Sequence, residues 1–314
     1  MSKLSKDSKM IRRAVILFVG LAMVCLPSSA VYAAQSSVNL QTAAPFAILA
    51  GTPNITNTGP SVITGNVGLS PATGAGITGL LCAQVTGTIY SVDAAGPLPC
   101  RVTDPALLTT AKNHLTAAFT DAAGRTPVTT VPTELGGTTK TAGVYDSAST
   151  TFGITAGAGP LVLDGQGDPS SVFIFEMNAG GTGLTVGPGS TVSLVNGAQA
   201  CNVFWRLDTA SINTTAVFKG TILALNSITV ANGADIEGRL LARNGSVTLI
   251  NDTITVPTCA SPSAGPGSGP GPGPGLPNTG TMDSGVDPWW GVAIVVGAIT
   301  SALTLYAARK KHIL

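Results

Sequence analysis

Charged, aromatic and histidine side chains are scarce in this sequence. Among its 314 residues, 10% are Asp, Glu, Lys or Arg, 5% are aromatic, and only two are histidines. Between residues 36 and 260 there are 8 Lys/Arg against 12 Asp/Glu, a net charge of about −4. Because nucleic-acid binding needs a basic patch or stripe that neutralises phosphates, we expect no nucleic-acid partner.

The shortage of charge also argues against catalysis. Polysaccharide hydrolases and lyases built on β-helices need clustered carboxylates, a calcium site or a basic residue on one wall. The acidic residues here fall in different predicted turns and loops, and they include Asp164, Asp168, Glu176, Asp208, Asp235 and Glu237. We therefore predict a protein that is not an enzyme and that needs no metal or other cofactor. Three of these carboxylates within about 6 Å in one groove would restore the enzymatic alternative.

Four cysteines lie in the central part of the chain: Cys82, Cys100, Cys201 and Cys259. An even number in an exported chain favours two disulfides, although the pairing does not follow from sequence alone. We favour Cys82–Cys100, which would close a Gly/Pro-rich loop, and Cys201–Cys259, which would tie the end of the domain to its body. Zinc is the alternative, but Cys-x-x-Cys spacing is absent and His114 is the one histidine between residues 36 and 260.

The N-terminus has the three parts of a secretory signal peptide. Basic residues come first, an apolar run covers residues 14–26, and small residues follow up to Ala33. We expect cleavage after Ala33, so that residues 1–33 are removed on export. An N-terminal membrane anchor is the alternative, but this apolar run is shorter than the roughly 20 residues that span a bilayer.

The other end resembles the sorting signal of Gram-positive wall proteins. Its LPxTG motif, which a sortase cuts between Thr and Gly before joining the chain to peptidoglycan, consists of Leu276, Pro277, Asn278, Thr279 and Gly280. Residues 289–307 carry no charge and predict a transmembrane helix, and the basic tail 308–314 should stay in the cytoplasm. The resemblance implies a cell-wall protein on the surface of a Gram-positive-type bacterium, made as a membrane-anchored precursor.

Residues 261–275 predict a linker between the folded domain and this motif. Gly and Pro supply 11 of its 15 residues, so it cannot pack a core. If extended, it would reach about 45 Å and hold the domain away from its attachment point, through the wall. The folded domain is therefore expected over residues 34–260.

A strand-like pattern repeats within this domain. Residues 220–224 (GTILA) align with residues 238–242 (GRLLA), and residues 228–230 align with 247–249 after one inserted residue. A fainter copy, residues 203–208, lies eighteen residues earlier. Short apolar strands at a period near 18 predict a β-solenoid with three walls per turn, because one turn alone cannot bury its inner face.

The three walls differ in their predicted surroundings. The segments TILAL and VFWRL are apolar on both faces, so their wall should also be covered on the outside. The segments ITV and VTL alternate, with Thr229 and Thr248 facing outward. The third wall carries residues 232–235 (NGAD) and 251–255 (NDTIT).

One amphipathic helix is predicted from Asp104 to Ala123. Asp104 is its N-cap, Pro105 its first residue and Gly124 its C-terminal stop. The apolar stripe consists of Leu107, Leu108, Ala111, Leu115, Ala118, Phe119 and Ala122. We expect the helix to lie along the wall that is apolar on both faces, with His114 as a surface or edge residue and not a catalyst. Residues 80–99 are expected to form a disulfide-closed cap that hides strand edges at one end.

Several strings in the domain resemble the microbial ice-binding protein family. They are TNTGPSVITGNVGLSP, DAAGRTP, GVYDSAS, GDPSSVFIFEM, NGAQACNVFWRLD, GTILALNSITV and GRLLARNGSVTL, and together they cover roughly residues 37–256. The resemblance implies a mostly β fold: an irregular right-handed three-sided β-solenoid with one long helix packed alongside and a small disulfide-closed cap.

In that family, one flat wall binds ice through rows of Thr and other small residues, spaced about 4.8 Å apart by the strands. The resemblance implies candidate ice-binding residues near the corners between strands: Thr214, Thr215, Asn232, Asp235, Thr253 and Thr255. The alternative face carries Thr229 and Thr248. The chain departs from the family's T-A/G-x-T/N pattern at Val217 and Asp235, and a charged Asp235 should disfavour an ice-like water layer.

Two non-catalytic functions therefore remain open, beside the enzymatic alternative given above. The first is a surface-anchored, non-catalytic protein that binds an ice crystal, for adhesion or for inhibition of recrystallisation. The second is a general wall-anchored adhesin or surface scaffold on the same fold, with ice binding lost. Val217, Asp235 and Lys219 interrupt the repeat and favour the second function.

Overall fold

The computed structural model describes residues 35–177 and 183–260. The predicted signal peptide, linker, sorting motif, transmembrane helix and basic tail, in residues 1–33 and 261–314, lie outside the described residues. Within the described ranges, no helix is long and apolar enough to cross a membrane. This part of the chain is mostly β, with parallel sheets, one α-helix and two disulfides, as the sequence predicts.

The first sheet, wall A, runs the length of the fold. Its strands are β1 (Phe46–Ala50), β4 (Asn66–Leu69), β7 (Ile89–Ser91), β8 (Arg101–Thr103), β9 (Val128–Val131), β11 (Gly143–Ser147), β14 (Phe173–Glu176), β17 (Val203–Leu207), β19 (Val217–Ala224) and β21 (Asp235–Ala242). In space their order is β8-β7-β4-β1-β21-β19-β17-β14-β11-β9.

The second sheet, wall B, has seven strands. They are β2 (Ile55–Thr58), β5 (Ile77–Thr78), β12 (Thr151–Ile154), β15 (Gly183–Val186), β18 (Ala210–Ile212), β20 (Ile228–Val230) and β22 (Val247–Ile250). Their order in space is β12-β15-β18-β20-β22-β2-β5, and every pair is parallel.

The third side, wall C, combines a small sheet with the first halves of two long strands. The small sheet contains β10 (Thr139–Lys140), β13 (Leu161–Asp164) and β16 (Val192–Val195). A bridge from Thr191 to Val217 joins it to β19. Beyond β21 the wall continues through β23 (Thr253–Thr255), β3 (Val62–Thr64) and β6 (Val85–Thr86).

Strands β19 and β21 pass from wall C to wall A at glycines. Gly220 and Gly238 are opposite one another. The residues before Gly238 pair with β23 on wall C, and the residues after Gly220 pair with β17 on wall A. Gly220 has a φ of +112°, and a Cβ on Gly238 would lie 1.9 Å from the carbonyl oxygen of Gly220. Successive layers therefore stack too closely for a side chain here. This explains why both copies of the repeat begin with glycine.

The register confirms the main repeat and corrects the fainter copy. Residues 220–224 pair with 238–242, and Ile228 pairs with Val247 after the inserted residue. Trp205, however, pairs with Ile222, a separation of 17 and not 18 residues. Both side chains face the core enclosed by walls A, B and C. A one-residue slip would place Trp205 on the opposite face of its wall.

The two ends of the described chain meet in the middle of the fold. Strand β1 lies between β21 and β4 on wall A, and β23 lies between β21 and β3 on wall C. The layer that begins with the last strand, β23, is thus completed by the first strand, β1. This long-range pairing was not predicted from the repeat, which indicates only neighbouring turns.

Helix α1 (Pro105–Ala123) confirms the predicted bounds and covers wall A. The Asp104 carboxylate accepts a hydrogen bond from Leu107 N at 2.9 Å, which caps the helix. All of the predicted stripe is buried except Leu107, which is partly buried. The stripe packs with wall A side chains that point out of the coil, among them Ile174, Phe204 and Leu223. His114 sits at the edge of the helix, with its Nδ1 2.9 Å from Thr42 Oγ1.

The disulfides join Cys82 to Cys100 and Cys201 to Cys259, as predicted, each with a Cα–Cα distance of 5.6 Å. The predicted cap over residues 80–99 is closed by its disulfide and covers the edges of β3 and β4 at one end, but it is part of the sheets and not a distinct structure. Strands β6 and β7 lie inside this segment and belong to walls C and A. The segment continues the sheets because Ile89 supplies a buried core side chain to the stack.

Candidate functional site

The outward side chains of wall B form a continuous row of hydroxyls. Strand register places six of them opposite one another on neighbouring strands, in the order Thr185, Ser211, Thr229, Thr248, Thr56 and Thr78. We call this row the hydroxyl ladder. With neighbouring strands about 4.8 Å apart, it extends about 24 Å.

The ladder hydroxyls are available to solvent. All six side chains are exposed or half-exposed. Within the described residues, the only protein bond that any of the six hydroxyls makes is a long one, 3.5 Å, from Thr78 to Thr56. The helix threonines differ, since Thr109 and Thr120 donate their hydroxyls to backbone carbonyls four residues earlier. Wall B therefore presents both the methyls and the unsatisfied hydroxyls of its threonines to water.

The core behind the ladder holds the row in place. On each strand the neighbours of the outward residue point inward, as Ile228 and Val230 do on either side of Thr229. Both side chains are fully buried. Because β-branched residues have few rotamers and the interior is close-packed, the ladder spacing is fixed before any ligand arrives.

A charged group bounds the ladder at one end. Gly153 continues the row beyond Thr185, and Glu134 pairs with Gly153 as the next position. Partial burial opposes ionisation of Glu134, but hydrogen bonds from Thr155 and Gly136 keep the pKa of this carboxyl below its ordinary value. The row of uncharged hydroxyls therefore ends at Thr185.

Wall C differs from wall B because charged residues interrupt it. Val217, Asp235, Thr253 and Val62 form one outward column. The parallel column contains Lys219 and Glu237, whose Nζ and Oε2 atoms form an ion pair at 3.0 Å, followed by Thr255 and two more threonines. Three of the predicted candidates, Asp235, Thr253 and Thr255, thus lie on a partly charged surface.

The other three predicted candidates lie in the turns between walls B and C. Thr214 and Thr215 form one turn, where Thr215 has a φ of +57° and donates its hydroxyl to the Thr214 carbonyl at 2.7 Å. Asn232 lies in the next turn and accepts a hydrogen bond from Asn251 Nδ2 at 3.2 Å. The structure therefore divides the six candidates between a corner and wall C.

The alternative face proposed from sequence lies at the centre of the ladder. Thr229 and Thr248 are direct neighbours, and four further members were missed. The missed threonines each follow an apolar residue that faces the core, in the pairs Ile55-Thr56, Ile77-Thr78 and Leu184-Thr185. This apolar-Thr pattern is visible in the sequence. Two of the three pairs, however, belong to N-terminal turns, whose position depends on the long-range pairing of β1 with β21 and of β2 with β22.

A buried polar network fixes the corner between walls B and C beside the ladder. The Asp252 carboxylate accepts hydrogen bonds from Ala234 N at 3.0 Å and Ile250 N at 2.7 Å. Asp252 N donates to Ser61 Oγ at 2.9 Å, and Ser61 Oγ donates to Asn57 Oδ1 at 2.6 Å. Burial raises the pKa of Asp252 to about 6, although the backbone hydrogen bonds favour the carboxylate. This network connects three neighbouring layers.

Replacing Asp252 by alanine should therefore destabilise the fold. The change leaves one buried and one partly buried N–H group without an acceptor, and we expect it to lower the free energy of unfolding by about 2–3 kcal/mol. Urea denaturation measures the loss. Asp235→Ala, one layer away and exposed, is the matched control and should stay within about 0.5 kcal/mol of wild type. Equal losses in the two variants would contradict a structural role for the network.

Two of the acidic residues that bear on catalysis, Asp235 and Glu237, share the outward face of β21, and most of the others are held by partners of other residue types. Glu176 is buried beneath the helix, where burial raises its pKa to about 7, with Arg206 opposing and Asp146 adding to the effect. The others make local bonds: Asp164 with Asn196, Asp168 with Ser170, Asp208 with Asn226, and Glu237 with Lys219. Across residues 35–177 and 183–260, no group of three His, Cys, Asp or Glu side chains is placed to hold a metal ion.

Known proteins are similar to this chain in sequence and in fold. A family model described as ice-binding-like matches residues 48–255. The ice-binding protein of Flavobacterium frigoris (strain PS1) is 42% identical over 224 residues, which cover 70% of this chain and 76% of that protein. The ice-binding protein of a Colwellia species is 39% identical over 226 residues, which cover 71% of this chain and 85% of that protein.

The solved structure of an ice-binding protein from an Antarctic biological consortium is similar over 72% of this chain and 94% of its own. The TM-score is 0.63 and the sequence identity 37%. The family model covers most of the described residues, and both relatives exceed 30% identity over more than two thirds of the chain. The chain therefore belongs to the ice-binding-like family.

Proposed function

We propose that this chain is a non-catalytic ice-binding protein and that the hydroxyl ladder of wall B is its ice-contacting surface. The single observation that carries the choice of surface is the unbroken row of six outward Thr or Ser hydroxyls. The relatives named as ice-binding proteins support the ligand. The parallel strands support the finer description of the fold as a right-handed three-sided β-solenoid, because parallel β crossovers are right-handed almost without exception.

The physical basis is a rigid plane that orders water before it meets the crystal. Each threonine offers a hydroxyl that bonds one water and a methyl group around which water must arrange itself. A single such contact is weak, but those of five threonines and the hydroxyl of Ser211 at one fixed spacing add without a further entropic cost of ordering the protein. A charged side chain holds its own hydration shell, so the ion pair on wall C makes that wall the poorer choice.

The sequence outside the described residues supports a tethered version of this activity. The resemblance of residues 276–280 to a sortase motif supports attachment of the domain to the cell wall, with sortase as the proposed processing partner and peptidoglycan as the proposed site of attachment. A tethered chain cannot diffuse through the medium. Its role is therefore attachment of the cell to ice, or inhibition of recrystallisation next to the cell.

Uptake into ice tests the proposal. The full chain, labelled with a fluorophore, should be incorporated into a slowly growing ice hemisphere and should inhibit recrystallisation, whereas labelled serum albumin should be excluded. Exclusion of the folded chain from ice would contradict ice binding. The remaining function would then be a general wall-anchored adhesin, with the charged residues of wall C as its first candidate surface.

A further inference from the structure

The last described residues fold back along the corner between walls C and A. Strand β23 ends at Thr255, but the chain continues to Cys259, which is disulfide-bonded to Cys201. Ala260 N donates to Gln199 Oε1 at 2.6 Å, and Gln199 Nε2 donates to the Ala260 carbonyl at 3.1 Å. The described part of the chain therefore ends beside the short 3-10 helix Ala200–Asn202, which directly precedes β17.

Ala260 lies on the side away from the hydroxyl ladder. Residues 196–202 connect β16 on wall C to β17 on wall A. In a coil with three walls, the corner between two walls is opposite the third, which is wall B here. A tether that continues from Ala260 therefore pulls on the corner opposite the proposed ice-contacting surface.

We propose that the Cys201–Cys259 disulfide is a mechanical staple, which transfers tension from the C-terminal tether into wall A and keeps it off strand β23. The inference rests on the proposed function, because tension arises when the wall holds the C-terminal side and ice holds wall B. The corner between walls C and A bears the load from the C-terminal tether. The disulfide lets the domain stay folded while it is held between the cell wall and ice.

Strand β23 is poorly suited to carry such a load. It has three residues, and of these only the Ile254 side chain is fully buried. It also lies between β21 and β3, in the layer where the N-terminal and C-terminal parts of the chain meet. Tension applied directly to β23 would peel it from these neighbours and open the coil at that layer.

Strand β17 is the stronger point of attachment. It has five residues and pairs with β14 on one side and β19 on the other. Trp205 in its centre is fully buried, and its ring stacks on Phe175 with centroids 4.1 Å apart. The disulfide joins the tether to the residue two positions before this strand, so that tension enters the part of wall A that contains the stacked Phe175 and Trp205 rings.

Single-molecule force spectroscopy tests the staple on the full chain, with handles at its two termini. The variant Cys82→Ser/Cys100→Ser retains Cys201–Cys259 as its only disulfide among the described residues, so that one polypeptide can be pulled oxidised and then reduced. We expect reduction to lower the force of the first unfolding event at least two-fold. Reduction should also add up to about 200 Å of released chain, because 58 residues are no longer bypassed.

Two further chains complete the test. Oxidised Cys82→Ser/Cys100→Ser should unfold at the force of the wild type, and Cys201→Ser/Cys259→Ser should behave like the reduced chain after circular dichroism has verified its folding. An unchanged first unfolding force after reduction would overturn the proposal. An equal drop in oxidised Cys82→Ser/Cys100→Ser would also overturn it. These forces are measured without ice, so a chain that fails to enter ice leaves this result intact.

Discussion

The double variant Thr229→Tyr/Thr248→Tyr should lose ice activity while remaining folded. Both side chains point outward at the centre of the ladder, and a tyrosine ring there would hold the plane of wall B away from a crystal. We expect the concentration needed to inhibit recrystallisation to rise ten-fold or more, which corresponds to a loss of about 1.4 kcal/mol of binding free energy. The fold should tolerate the change, because tyrosine is favoured on exposed strand positions.

The matched control places the same substitutions on the helix. Thr109→Tyr/Thr120→Tyr also replaces two exposed threonines, on the surface that covers wall A. It should inhibit recrystallisation at the wild-type concentration. A similar loss in both variants would show that added bulk or altered solubility, and not the ladder, accounts for the effect.

Gly238→Ala should destabilise the fold more than any other glycine-to-alanine substitution in the long strands β19 and β21. The new Cβ would lie 1.9 Å from the Gly220 carbonyl oxygen, a backbone atom of the next layer that cannot rotate away. The layers must then separate at the corner between walls C and A. We expect the free energy of unfolding to fall by about 3 kcal/mol or more, measured by urea denaturation.

Gly124→Ala is the control for this substitution. Gly124 follows the helix with a φ of −94°, and the nearest atom to its added Cβ is 3.7 Å away. Its stability should stay within about 1 kcal/mol of wild type. A Gly238→Ala variant as stable as Gly124→Ala would mean that the layers are not held at the spacing that the structure gives.

Local signals in the sequence were sufficient to predict helix α1 and the strand register of residues 220–249. Asp104, Pro105 and Gly124 set the helix bounds, and each acts on its immediate neighbours. The repeat between residues 220 and 249 gave the correct register because consecutive layers are adjacent in the chain. Patterns with short sequence separation could therefore be interpreted directly.

The long-range arrangement could not be predicted in the same way. Nothing in the repeat indicates that β1 inserts beside β21, almost 200 residues away, since any apolar strand of suitable length satisfies the pattern. The candidate site was affected in turn. Thr56 and Thr78 join the ladder only through the pairing of β2 with β22, and without that pairing the sequence shows Thr229 and Thr248 only as an isolated pair.

The most direct test of the central claim compares two surfaces in the same ice. Differently coloured full chains carrying Thr229→Tyr/Thr248→Tyr on wall B, or Asn232→Tyr/Thr253→Tyr on the corner and wall C, would be offered together to one growing ice hemisphere. Ice contact through the hydroxyl ladder predicts that the corner variant enters the ice as wild type does and that the ladder variant is excluded. Entry of the ladder variant with exclusion of the corner variant would contradict it.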